Sequence, residues 1–188
     1  MTMTKLDAFA KIEKITYLTP ASPVVLVVTR DGNGVPNIAP IGYFSTVSSR
    51  PPKIIVGISP KARTEKNIKA TGEFVVAIPS KKILQKTYDA VVKAADGEDK
   101  ITKVGFTAYD GLRIKEAAAN LVCKVDWIKE AGDHTVFCAD IIAADVDEDL
   151  FDADIAKLRR NLSHIHHITD NKFLVDGNVV EVEKTVTR

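Results

Sequence analysis

Over the first eighty residues, short apolar and β-branched runs alternate with clusters of turn formers. Val24 to Arg30 (VVLVVTR) reads as a strand, and Asp31-Gly32-Asn33-Gly34 supplies residues that tolerate positive φ. The chain resumes as VPNIAPIGYFSTVS, which predicts the return arm of a hairpin. The diproline Pro51-Pro52 ends that arm, Lys53 to Ser59 (KIIVGIS) makes a third strand, and Glu73 to Ile78 (EFVVAI) a fourth. Between the last two, Thr64 can N-cap a short helix running to about Thr71, with Gly72 stopping it.

The period then changes. SKKILQKTYDAVVKAA, opening at Ser80, places Ile83, Leu84, Thr87, Tyr88, Val91 and Val92 on one broad helical face. The polar stretch DGEDKITKVGF reads as loop. From Ala119 the period returns to two: NLVCKVDWI, the turn Glu130-Ala131-Gly132-Asp133, and HTVFCADIIAADV form a second hairpin with long arms. Asp152 to Leu162 reads as helix and KFLVDGNVVEVE as a last extended segment. Strands outnumber helices and short hairpin loops predominate. The expected fold is mainly β (α+β): an antiparallel sheet closed into a barrel with a few peripheral helices.

Composition narrows the class without naming an activity. At 188 residues, with no repeat or linker to divide it, residues 1–188 are expected to form a single domain. A hydrophobic content of 45% and a charged content of 27% describe an ordinary globular chain. The net charge of +1 argues against a nucleic-acid partner. No apolar run approaches about 20 residues, so no membrane span is expected, and the charged N-terminus lacks the apolar core of a signal peptide. A cytoplasmic location is the default expectation. No GxGxxG follows a strand and no GxxxxGK[ST] occurs, which leaves Rossmann and P-loop nucleotide sites unsupported.

The densest chemistry lies between Asn37 and Asn67. A helix start offers unpaired N–H groups and a positive dipole end, and Lys61, Arg63 and Thr64 fall where such a start is predicted. Ser45, Thr46 and Ser48 end the preceding strand. Together they suggest a pocket for a phosphate-bearing organic cofactor. The competing reading makes Thr64 a helix cap and nothing more, with the cations solvated.

Five pieces in order carry a resemblance: SPVVLVVTRDGNGVPNIAP, YFSTVS followed by PP, ISPKARTEKNI, TGEFVVAIPS, and GDHTVFCADI at Gly132 to Ile141. Together they cover roughly residues 20–80 and 119–150 and resemble the flavin reductase-like family, whose members share an FMN-binding split β-barrel. The resemblance implies an FMN at a homodimer interface. It implies that Ser45, Thr46, Val47 and Ser48 line the isoalloxazine and ribityl chain. Ser59, Lys61, Arg63, Thr64 and Asn67 would gather round the phosphate, and Asn37, at the head of this stretch, is placed with the cofactor-binding residues. His134 is the catalytic candidate, beside the flavin in members that accept hydride from NADH or NADPH. The bland alternative is a β-turn in which His134 simply starts a strand. Two activities follow from the resemblance: an NAD(P)H-dependent flavin reductase, or a flavoredoxin-like carrier passing electrons between protein partners.

The remaining candidates are weaker. His164, His166 and His167 lack a visible fourth ligand for zinc, so a surface or interface role is expected and no metal site. Cys123 and Cys138 lie among apolar residues and read as buried, inert thiols. Trp127 and the phenylalanines are assigned to the core, while Tyr43 and Phe44, beside the hydroxyl run, are the aromatics closest to the candidate chemistry. The mixed charges of EDKITK and DVDEDLFDAD read as solvated faces.

Overall fold

A computed structural model describes residues 16–169 and 171–175; the N-terminal fifteen residues and most of the predicted last extended segment lie outside them. A 3₁₀ turn at Thr16–Leu18 opens the described chain, followed by β1 (Ser22–Pro23) and β2 (Val25–Arg30). They are followed by β3 (Pro36–Ile41), β4 (Phe44–Ser49), β5 (Pro52–Ile58), α1 (Arg63–Thr71) and β6 (Glu73–Ile78). Next come α2 (Leu84–Asp89), α3 (Lys100–Lys103), β7 (Ala108–Tyr109) and β8 (Arg113–Ile114). The long hairpin β9 (Ala119–Ala131) and β10 (His134–Val146) follows, then α4 (Ile155–Asn161), β11 (Ile165–Thr169) and β12 (Lys172–Val175).

Seven strands form one sheet in the order β3-β2-β6-β9-β10-β5-β4. Every pairing in it is antiparallel. Its two edge strands, β3 and β4, are consecutive in the chain and separated only by Gly42 and Tyr43. Two residues span too little distance to join the far edges of a flat sheet, so the sheet must curl to bring the end of β3 to the start of β4, although no ladder joins these two strands. The Gly57 amide of β5 donates to the Tyr43 carbonyl at 2.8 Å, which carries the β4–β5 ladder one residue into this connection. The expected hairpin arm VPNIAPIGYFSTVS is therefore two strands: β3 pairs with β2, and β4 turns away to pair with β5.

Strand alternation sorts the core. Val25 and Val27 of β2 face one cluster with Ile54, Val56, Phe74, Phe137 and Ile68 of α1. Leu26 and Val28 face another, with Val75, Ile83, Ile101 and Phe106, beneath α2 and α3. Each fully buried aliphatic or aromatic side chain contributes about 1.5–3 kcal/mol relative to exposure. Lys53 of β5 crosses two strands to Asp126 (2.8 Å) and Asp140 (2.7 Å), whose carboxylates hold its ammonium above the usual lysine range. The small sheet β1-β11-β12 is separate.

Four local expectations need correction. The N-cap of α1 is Ala62, not Thr64: Ala62 has extended backbone angles, and the Thr64 hydroxyl, inside the first turn, is engaged by Asn37. Gly72 does end the helix, at φ +70°. The helix opening at Ser80 is shorter than its pattern: it begins as a 3₁₀ turn, ends at Asp89 and leaves Val91 and Val92 exposed. The stretch read as loop holds α3, capped by Asp99, which accepts from the Thr102 amide at 3.1 Å. Trp127 is 45% exposed instead of core, because from Asp126 to Ala131 both faces of β9 are exposed as the hairpin runs past the core. The helix expected between Asp152 and Leu162 is α4, where the Asp154 carboxylate accepts from the Ala156 and Lys157 amides. Asp154→Ala is expected to cost about 1 kcal/mol, seen as a lower urea midpoint; an unshifted midpoint would mean the cap is dispensable.

Candidate functional site

A cavity of about 610 Å³ opens between the start of α1, the end of α2 and the hairpin tip of β9 and β10. At one end stand Lys61, Arg63, Thr64 and Lys100; at the other stand Tyr43 and His134. A second cavity of about 380 Å³ continues past Tyr43, Phe44 and Ser45, and His134 and Tyr43 border both.

The cationic end is short of partners. Ala62 makes no side-chain capping bond, so the leading amides of α1 find no side-chain acceptor there. Arg63 spends Nη1 on the Ala95 and Glu98 carbonyls, at 3.3 and 3.1 Å. Its Nη2 lies 3.7 Å from Asp31, yet is buried with no hydrogen-bond partner. Lys100 is only 6% exposed and makes no ion pair or hydrogen bond among the described residues. Burial, then Arg63 and Lys103, push its pKa below the ordinary lysine value. Lys100, its stem buried and its ammonium at the cavity wall, stands beside the orphaned, buried guanidinium nitrogen of Arg63, a pairing that an anion would complete.

A buried polar network seats α1 against the barrel. Asn37 of β3 donates to the Thr64 hydroxyl at 3.0 Å, and Asn67 donates to the Thr29 hydroxyl at 3.0 Å. Asn37 and Thr29 are cross-strand neighbours. On the other side, the Thr135 hydroxyl, next to His134, donates to the buried Glu65 carboxylate at 3.2 Å, and Glu65 is also paired with Lys69. The cationic end and the histidine end are thus fixed to one helix.

His134 closes a two-residue turn, Gly132-Asp133, in which Gly132 has φ +61°. Its Nδ1 lies 2.7 Å from the Asp133 carboxylate, and the Tyr43 ring stands edge-on at 4.8 Å. A carboxylate only accepts, so Nδ1 carries the proton and Nε2 is left for other work. The His134 contact, in turn, lowers the Asp133 pKa.

The structure brings Asn37, Ser59, Lys61, Arg63, Thr64 and His134 to the larger cavity and Ser45 to the smaller. Asn67 lies behind, in the buried network. Thr46, Val47 and Ser48 line neither of these cavities; they sit on the exposed edge strand, where the register shifts between Thr46 and Ser48. Lys100 is the site residue that sequence reasoning misses, because it falls in a charge run that reads as solvated. The signal that could have found it is the Asp99 cap followed by Ile101. Cys123 and Cys138 are free and buried, and burial pushes the Cys123 thiol up to about 12. No group of three potential metal ligands occurs among the described residues. Nor is any described helix long and apolar enough to cross a membrane.

Residues 18–166 match the family model described as the flavin reductase like domain. The chain belongs to the flavin reductase-like family. It is a flavoprotein oxidoreductase by that membership, with an antiparallel split-barrel fold. Among its relatives, the NADH:riboflavin 5'-phosphate oxidoreductase of Streptomyces pristinaespiralis is 32% identical over 119 residues, 61% of this chain and 65% of that protein. Nitrilotriacetate monooxygenase component B from Bacillus cereus shares the fold of this flavin reductase-like chain with a TM-score of 0.85 at 22% identity, over 97% of this chain and all of the other. The flavoredoxin of Desulfovibrio vulgaris (Miyazaki F) does so with a TM-score of 0.75 at 23% identity, over 89% and 93% of the two chains.

Proposed function

We propose that this chain holds one non-covalent FMN and acts as an NAD(P)H-dependent flavin reductase. The observation that carries this reading is the unpaired cationic end of the larger cavity, with buried Lys100 and the orphaned Arg63 Nη2. These groups fit a phosphate: Lys100 and Arg63 supply charge, and the open amides of α1 supply donors. Asn37 holds the Thr64 hydroxyl by its oxygen, which leaves the Thr64 proton to donate to a phosphate oxygen. Bound FMN would supply a centre that accepts a hydride and releases electrons singly or in pairs. Ser45, at the smaller cavity, would receive the ring system with the Val47 bulge beyond it on the exposed edge, and His134 Nε2 would hydrogen-bond its edge or a nicotinamide carboxamide.

A second copy of the chain is the proposed cover for the open side of the site. Large apolar side chains stand exposed on its strands, among them Val47, Trp127 and Ile128. A flavin left half in water by one barrel would be enclosed by a two-fold mate. Sedimentation of the FMN-loaded protein as a dimer is the supporting result, and a monomer with FMN fully held would refute the shared site.

A flavoredoxin-like carrier is the second reading. Every pairing in the seven-stranded sheet is antiparallel, so this sheet is not a dinucleotide-binding βαβ unit. Anaerobic mixing of the FMN-loaded protein with NADH and with NADPH separates the two: rapid bleaching of the flavin band supports the reductase, and an unbleached flavin supports the carrier. His134→Ala is expected to slow the bleaching about two- to tenfold, the worth of one lost hydrogen bond, with FMN affinity kept. An unaltered rate would return His134 to a turn residue.

A further inference from the structure

A slot of about 160 Å³ lies beside the larger cavity, and the flavin reading does not use it. Tyr88 of α2 and Phe173 of β12 form two of its walls, with ring centroids 6.2 Å apart and planes at 84°. His167 of β11 stacks obliquely on Phe173 at 5.4 Å. Val24, Pro40 and Val91 complete a mostly apolar lining, with Thr87 and His167 as its polar members and no lysine or arginine among the described residues. A closed apolar cavity of about 150 Å³ is enough to hold a benzene ring. The slot shares Pro40, Gly42 and Val91 with the cavity that runs from Lys100 to His134, so the two adjoin. Gly42 is the doorway: a Cβ built there meets nothing within 4 Å, and its φ lies outside the left-handed region.

We infer that the slot is a subsite for a single uncharged aromatic ring, bound by the FMN-loaded protein next to the cofactor. The inference rests on the flavin reading, because it takes the larger cavity as already filled. Edge-to-face contacts from Tyr88 and Phe173 select an aromatic ring over an aliphatic one of the same size. Among the described lining residues no lysine or arginine offers a permanent charge, so a carboxylate or a phosphate-bearing ligand, and with it a whole dinucleotide, is disfavoured there.

Ligand-observed NMR with p-cresol tests it on the FMN-loaded protein, with cyclohexanol and benzoate as controls. The expected result is p-cresol binding with Kd about 1 mM, as befits an eight-atom fragment, and at least fivefold weaker binding of both controls. Tyr88→Ala, at a position already 38% exposed, and Phe173→Ala should each weaken p-cresol at least fivefold with FMN still bound. Gly42→Val should do the same from the doorway, without backbone strain. No binding, equal binding of cyclohexanol, or insensitivity to all three substitutions would overturn the subsite. Binding seen only after FMN is removed would also overturn it, since the slot would then belong to the flavin's own ring. Failure of the parent protein to hold FMN at all is a different result, and would overturn the flavin reading instead.

Discussion

Lys100→Met is expected to weaken FMN about ten- to a hundredfold while stabilising the cofactor-free protein. The two effects have opposite signs because the same ammonium is an asset with phosphate present and a burden without it. A charge-assisted bond to phosphate is worth about 1.5–3 kcal/mol, which gives the loss of affinity. In the free protein a lysine whose stem is buried and whose ammonium meets the cavity without a partner is replaced by an apolar chain of similar length, for a gain of up to about 1 kcal/mol or 2–4 °C in Tm. Riboflavin, which lacks the phosphate, should bind parent and variant alike. There is a matching pH signature. Because the folded-state pKa of Lys100 is lowered, the unfolded chain binds more protons between that value and about 10.4, so stability of the free protein should rise with pH across this window. The Lys100 share of that rise should be missing in the variant. Arg63→Ala is a less clean probe, since Arg63 also holds the carbonyls of residues 95 and 98. Equal FMN affinities for Lys100→Met and the parent would move the phosphate elsewhere.

Gly57→Val is expected to destabilise the protein by about 1–3 kcal/mol, the usual cost of overpacking. A Cβ at Gly57 falls 3.0 Å from the Tyr43 Cβ, and the Gly57 amide bonds the Tyr43 carbonyl, so the segment cannot swing away without losing that bond. Displacing Tyr43 also removes the ring that stands against His134. A urea titration gives the stability, and the imidazole proton shifts of His134 report its loss of the Tyr43 ring. Gly57→Ala should show the same changes in smaller degree. Parental stability in the Gly57→Val variant would mean that Tyr43 is held against β5 more loosely than its contacts imply.

Much of this can be read from residue order. The strands β2, β5, β6, β9 and β10 follow directly from their periodicity, and the Gly72 stop and Gly132 turn from the need for positive φ. The cation cluster at the start of α1 is legible because helix starts and phosphates have matching chemistry. What cannot be read is pairing and placement. Nothing local in NIAPIGYFSTVS says that the chain changes partner at Gly42, since that depends on sheet closure. Lys100 looks like any surface lysine until α3 is folded against β3 and buries it. Trp127 is misplaced because a period-two pattern does not say where a long hairpin runs out beyond the core, and there both faces are exposed. Val91 and Val92, just past the end of α2, look like a continuing helical stripe; instead they line the cavity wall.

The shift of register at Val47 bears on how this protein avoids sticking to itself. A straight outer strand with free amides and carbonyls would template another strand and begin an open-ended stack. Here β4 is six residues long, rich in hydroxyls, and interrupted at its middle by an unpaired residue. That kink spoils the regular ladder a newcomer would need. Any mate arriving at this edge must be recognised through side chains and shape, which is self-limiting, and not by backbone zippering, which is not.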